Sequence, residues 1–176
     1  MKSLSGKISM LCLAVSTVLL VLLDQVTKQA ALKFLKGQES VTLIEGVFEL
    51  QYLENRGSAF GMLQGKRTFF IVMAALMLVL IPYIYAKIPL TRHFLFLRIT
   101  AILFLSGAVG NAADRILHGY VIDFFYFSLI DFPVFNVADI YVTVSASLLI
   151  LLMLFYYTDE DFEQIRLLPG HSRKAS

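Results

Sequence analysis

The sequence predicts an all-α membrane protein of four transmembrane helices, with a small β-region on one membrane face. Three observations carry this. The 176 residues are 58% hydrophobic, with a mean hydropathy of +0.75, which excludes an ordinary soluble domain. Four stretches are each long and apolar enough to cross a bilayer, which takes about 20 residues as helix. Between the first two lies a connection, residues 37–67, too long for a bare turn and rich in β-formers.

The spans fall at about 8–30, 68–86, 94–113 and 138–158. Helices are expected because backbone in lipid must satisfy its own hydrogen bonds. The first has Lys2 and Lys7 before it, like a signal peptide, but three further spans favour an uncleaved helix. The third contains Arg98 near its start, expected to snorkel to the interface. In the 37–67 connection, Phe48, Leu50 and Tyr52 alternate with Glu49, Gln51 and Leu53, the pattern of a half-buried strand. Glu45–Gly46 reads as a turn between two strands, and Gly57 and Gly61 permit a bent backbone after them. A small amphipathic sheet lying on the bilayer fits. Residues 159–176 form a polar tail, expected to lose order toward its end. The chain reads as one integral membrane domain.

A net charge of +2 is too small for a nucleic-acid binder. The lone Cys12 allows no internal disulfide. His93, His118 and His171 are too scattered for a metal site, and neither metal nor cofactor is expected.

An even number of spans puts Asp24, Asn55, Asn111, Asp114, Arg115, Asp123, Asn136 and Asp139 at the same membrane face, whichever way the chain inserts. Lys28 stands four residues after Asp24, the spacing of a helical ion pair. Asp114 and Arg115 are adjacent, so each should pair elsewhere. Asn136 precedes the fourth helix as a candidate N-cap, with Asp139 in its first turn. Asp131, before Phe132–Pro133, reads as a turn residue. Asp123 lies in an apolar run, "YVIDFFYF", where capping explains nothing. Ionisable groups at membrane depth are functional candidates. Ser58 and Ser106 have no evident base, so paired carboxylates are the economical chemistry. Two close acids share a proton, so one can activate water while the other donates to a carbonyl. A transporter and a non-enzymatic scaffold are the rival readings. Against a transport path, the acids gather at one face.

Five ordered blocks carry a resemblance: "DQVTK" (24–28), "NRGSAFG" (55–61), "SGAVGNAADR" (106–115), "GYVIDF" (119–124) and "FNVAD" (135–139). Together they resemble the bacterial lipoprotein signal peptidases. The resemblance implies a membrane aspartyl endopeptidase that removes the signal peptide from diacylglyceryl-modified prolipoproteins, cutting before the lipidated cysteine. It implies Asp123 and Asp139 as the catalytic pair. Asn55, Asn111, Arg115 and Asn136 would line the site, with Asp24 and Lys28 as a supporting pair. Asp114 is counted among the supporting residues. It also implies four transmembrane helices with a small extracytoplasmic β-subdomain. The expected setting is a multi-pass protein of the bacterial cytoplasmic (inner) membrane, with the site on the extracytoplasmic side. The expected partners are lipidated prolipoproteins and membrane lipids, and the chain is expected to be a monomer. Lys7, Lys87 and Arg92 lean the same way, toward cytoplasmic termini. Ser106 departs from the family, which usually has the first of two glycines there; this bears on helix packing.

Overall fold

A computed structural model describes residues 2–57 and 66–165, with side chains from Ser5 onward. Four long helices dominate: α1 (Lys2–Phe34), α2 (Arg67–Lys87), α3 (Leu95–Leu117) and α4 (Val137–Phe155). Each holds a window apolar and long enough to cross a membrane. Leu, Ile, Val and Phe side chains cover their outer faces, as lipid-facing helices require. The second helix matches the expected span within a residue. The first and third run further than expected, so Asp114 and Arg115 lie inside α3.

Between α1 and α2 are β1 (Val41–Ile44) and β2 (Phe48–Asn55), joined through Gly46 at φ +66°. The expected turn therefore forms at the one residue type that accepts this backbone freely. A third strand, β3 (Val121–Tyr126), pairs antiparallel with β2 to give the order β1–β2–β3. It has no counterpart among the elements expected from the sequence. The run 121–124 is buried on both faces, so it lacks the alternation that marks a half-exposed strand. Ile122 and Phe124 pack with Ala31 of α1 and with Leu35 just beyond its end, which seats the sheet on the helix bundle. A short helix, α5 (Asp159–Gln164), follows α4, where only a polar tail was expected. Thr158 and Asp161 cap its start reciprocally. Residue 61, the remainder of the block that begins at Asn55, and the end of the tail lie outside the described residues.

Arg98 does not snorkel. It is buried against α1 and the end of α2, donating to the Ile88 carbonyl and to the Ser9 hydroxyl.

The third helix packs most extensively against α4, and it lies close to both α4 and α1. A methyl group added at Gly107 would sit 2.5 Å from the Ala138 carbonyl oxygen, and one at Gly110 2.7 Å from Asp24 Oδ2. Only glycine allows α3 to lie so near both partners. Ser106 tolerates its position because its hydroxyl turns back to the Ile102 carbonyl at 2.7 Å. The departure at Ser106 therefore leaves the close contact to Gly107. Gly107→Ala should lower the thermal unfolding midpoint in detergent, at a cost of about 1–3 kcal/mol. Gly6→Ala, where nothing lies within 4 Å, should not. Equal midpoints for the two variants would contradict this packing.

Candidate active site

A lysine inside the bundle organises the polar residues. Lys28 is fully buried and has three ammonium donors, each with an acceptor. Asp24 Oδ2 lies at 2.9 Å, Asp114 Oδ2 at 3.1 Å and Asn111 Oδ1 at 3.0 Å. The expected i,i+4 pair of Asp24 and Lys28 is thus one edge of a triad. Gln25, not among the expected site residues, completes it by donating to Asp114 Oδ1 at 2.9 Å and to Asp24 Oδ2 at 3.2 Å.

Both acids of the triad have a second task. Asp24 Oδ1 accepts the backbone N–H of Ala138 at 2.9 Å. Asp114 Oδ2 accepts that of Ile122 at 3.0 Å. Ala138 immediately precedes Asp139, and Ile122 immediately precedes Asp123. Each supporting acid therefore grips the backbone one residue before a candidate catalytic acid.

Asp123 reaches the site on β3, opposite Leu53 of β2. The chain between the two acids returns through a bridge between Phe125 and Phe135, which exchange backbone hydrogen bonds at 2.8 and 3.0 Å. Phe135 also stacks on Phe127 and lies tilted against Phe125, so aromatic packing and backbone pairing close the loop together. Asn136 follows at once. It forms the expected N-cap of α4, in a full capping box: its Oδ1 accepts from Asp139 N–H at 3.0 Å, and its own N–H donates to Asp139 Oδ2 at 3.1 Å.

Three asparagine amides tie the two acids into one network. Asn136 Nδ2 donates to Asp123 Oδ1 at 2.6 Å and to Asn111 Oδ1 at 3.1 Å. Asn111 Nδ2 donates to Asp139 Oδ1 at 2.8 Å. Asn55 Nδ2 donates to Asp123 Oδ2 at 2.9 Å, while its Oδ1 accepts from Gly57 N–H. The amide orientations are forced. Lysine cannot accept, so Asn111 must turn its oxygen to Lys28 and its NH₂ to Asp139. The backbone N–H groups of Asp139 and Gly57 fix Asn136 and Asn55 in the same way. Every carboxylate oxygen of Asp123 and Asp139 thus receives an N–H donor.

Arg115 is buried beside this pair. Its guanidinium lies over the Phe70 ring and donates to the Gly57 carbonyl at 2.7 Å and to the Asn111 carbonyl at 3.3 Å. As adjacency on a helix required, it turns away from Asp114. Asp131 sits in a left-handed turn at φ 47°, bonded to the Tyr126 hydroxyl at 2.7 Å, and does not join the Asp123–Asp139 network.

Burial opposes the charge on Asp123, and the neighbouring Asp139 opposes it further. Together they outweigh the donors from Asn55 and Asn136 and push the carboxyl up to about 7. Between the ordinary value of 3.8 and about 7, the folded chain holds a proton that the unfolded chain has released. This group therefore favours folding most below 3.8, and that contribution is lost as pH rises through about 7.

The two acids open into a cavity of about 990 Å³. Asn55, Arg56 and Arg115 supply polar wall. Phe132, Pro133 and Val144 continue it as apolar wall toward the outer face of α4. Among the described residues, no group of three His, Cys, Asp or Glu could hold a metal ion.

Residues 16–155 match the model of the signal peptidase (SPase) II family. The chain belongs to that family. The lipoprotein signal peptidase of Caldanaerobacter subterraneus subsp. tengcongensis is 44% identical over 136 residues, covering 77% of this chain and 90% of that protein. The lipoprotein signal peptidase of Symbiobacterium thermophilum is 46% identical over 139 residues, covering 78% and 90%. A solved bacterial membrane enzyme superposes with a TM-score of 0.72 at 32% identity, covering 81% of this chain and 87% of that one. These likenesses favour the peptidase reading over a transporter or a scaffold.

Replacing Lys28 with methionine would leave Asp24 and Asp114 facing each other without a cation. Breaking a buried pair in this way costs about 3–5 kcal/mol. Lys28→Met should therefore unfold well below the intact protein in a detergent thermal melt. An unchanged midpoint would show that the triad does not hold the bundle.

Proposed function

We propose that this chain is a membrane aspartyl endopeptidase that removes the signal peptide from diacylglyceryl-modified prolipoproteins, with Asp123 and Asp139 as its catalytic pair. The observation that carries the assignment is the shared asparagine network. It holds two carboxylates together at the floor of a cavity that reaches the lipid-facing side of α4. Family membership supports the reaction class.

The chemistry follows from one proton between two acids. Asp123, with its carboxyl pushed up to about 7, carries that proton near neutral pH. Asp139 remains to take a proton from a water molecule, whose oxygen attacks the scissile carbonyl carbon. Asp123 donates its proton to the carbonyl oxygen as the C–O bond to water forms. In the collapse, the proton held by Asp139 passes to the leaving nitrogen, the C–N bond breaks, and a hydroxyl proton returns to Asp123. Water is consumed, and no group is oxidised or reduced. Asn55, Asn111 and Asn136 orient the two carboxylates. Arg115 holds the backbone at Gly57 beside them and keeps a positive charge near the developing oxyanion.

The substrate fits the same geometry. Ile140 and Val144 are exposed on the outer face of α4 at the cavity edge, so acyl chains can remain in the bilayer while the peptide enters beside them. Each buried CH₂ contributes roughly 0.8 kcal/mol to holding such a substrate at this depth. Partners are thus lipidated prolipoproteins and membrane lipids, and the chain works as a monomer. The setting is the bacterial cytoplasmic membrane, with the site and β-subdomain extracytoplasmic and both termini cytoplasmic.

Cleavage of a diacylglyceryl precursor by purified protein tests this. Asp123→Asn and Asp139→Asn should each lose roughly 10²–10⁴-fold in kcat while remaining folded. Asp131→Asn should keep its activity, and a precursor with serine in place of the lipidated cysteine should be cut far more slowly. Substantial turnover by either acid variant would overturn the assignment of the pair. Equal cleavage of the serine precursor would overturn the substrate.

A further inference from the structure

Arg98 is the least expected buried charge in the molecule. It is 8% exposed, near the start of α3, at the membrane face opposite the aspartate pair. Its guanidinium plane covers the Tyr85 ring with the central carbon 4.2 Å from the centroid. Of its five N–H donors, one meets the Ile88 carbonyl at the end of α2 and another the Ser9 hydroxyl of α1. Neither acceptor is an anion. Among the described residues, no carboxylate lies within ion-pair distance of Arg98. The acids of α5 are at the same end, but Asp161 is engaged by His93 and none of them lines the space beside Arg98.

That space is a cavity of about 460 Å³ between the start of α1 and the α2–α3 connection. Ser9, Tyr85 and Arg98 form its polar wall, Lys7 lines it from an exposed position, and Met10 and Leu90 make apolar wall. A purely architectural role, tying Ser9 to the end of α2, uses two donors of Arg98. It explains neither the buried charge without an acid nor the cavity with a second cation.

We propose that this cavity binds a phosphate group, with Arg98 as the forked donor and Lys7 as the second charge. A planar guanidinium matches two phosphate oxygens, and an ammonium adds a point charge. At the ends of membrane helices, the phosphate at hand is that of a lipid headgroup, with the first carbons of its chains against Met10 and Leu90. Free inorganic phosphate shares the chemistry but lacks those chains. The site is separate from the aspartate cavity and does not rest on the peptidase reading.

The test uses full-length protein in a neutral, phosphate-free detergent. Phosphatidylglycerol or inorganic phosphate is titrated in, with the thermal unfolding midpoint and lipid adducts in native mass spectra as readouts. Phosphatidylglycerol should raise the midpoint and give a one-lipid adduct. Arg98→Gln should weaken that adduct roughly tenfold or more, consistent with the loss of charged hydrogen bonds. Lys7→Gln, an exposed change that leaves the fold alone, should weaken it roughly fivefold. These variants keep the result readable even if Arg98→Gln does not fold. A midpoint raised equally by inorganic phosphate, with the same dependence on Lys7, would keep the anion site and assign it to soluble phosphate. Binding of phosphatidylglycerol undiminished in Lys7→Gln, or undiminished in a folded Arg98→Gln, or no response to either ligand, would overturn the proposal.

Discussion

The three N–H donors of Lys28 tie the helices of the bundle to one another and to the sheet. A buried ammonium is tolerated only when each donor has a partner and its charge is answered. Asp24, Asp114 and Asn111 meet both conditions, and they come from two helices. The same carboxylates then hold the N–H groups of Ala138 and Ile122, which belong to α4 and β3. One ion cluster therefore fixes four elements relative to one another. It also sets the backbone height of Asp123 and Asp139, since each follows a gripped residue. The polar groups that look extravagant in so apolar a chain are the internal scaffold of its site.

The asparagines transmit that order to the carboxylates. A lysine that cannot accept orients Asn111, and Asn111 then presents its NH₂ to Asp139. Asn136 serves as helix cap and as the link between the two acids. Substituting an aspartate for any of these amides would place a like charge where a donor is required. The glycines complete the arrangement. Gly107 and Gly110 let α3 lie close enough to α4 and to Asp24 for side-chain bonds of about 3 Å to form across the bundle.

Much of this was legible in the sequence. Apolar runs longer than a soluble helix needs fixed the four spans. The i,i+4 spacing exposed Asp24 and Lys28, and Asn136 before an apolar helix read as a cap. Those signals are local, so one sequence suffices to see them. The missed features depend on distant contacts. β3 pairs with β2 across a register such as Asn55–Val121, and its doubly buried run looks the same as buried helix. Gln25 is an ordinary polar helix residue until α3 brings Asp114 beside it. Arg98 was expected to reach outward because long cations at helix ends commonly do. It turns inward because Tyr85, Ser9 and the Ile88 carbonyl receive it. Asp123 illustrates the border between the two cases. Its unusual place in an apolar run marked it, but only the Phe125–Phe135 return sets it beside Asn136.

If the scaffold holds Asp123 and Asp139 as a titrating pair, one proton stays on the pair near neutral pH. Carboxyl ¹³C chemical shifts of selectively labelled aspartate, followed against pH in the folded protein, read this directly. One carboxyl signal should titrate near pH 7 and be absent in Asp123→Asn. In Asp139→Asn the same signal should titrate at lower pH, because the charge that opposes ionisation of Asp123 is gone. An Asp123 carboxyl that is fully ionised by pH 5, or one whose titration ignores the loss of Asp139, would show that the two acids do not share a proton.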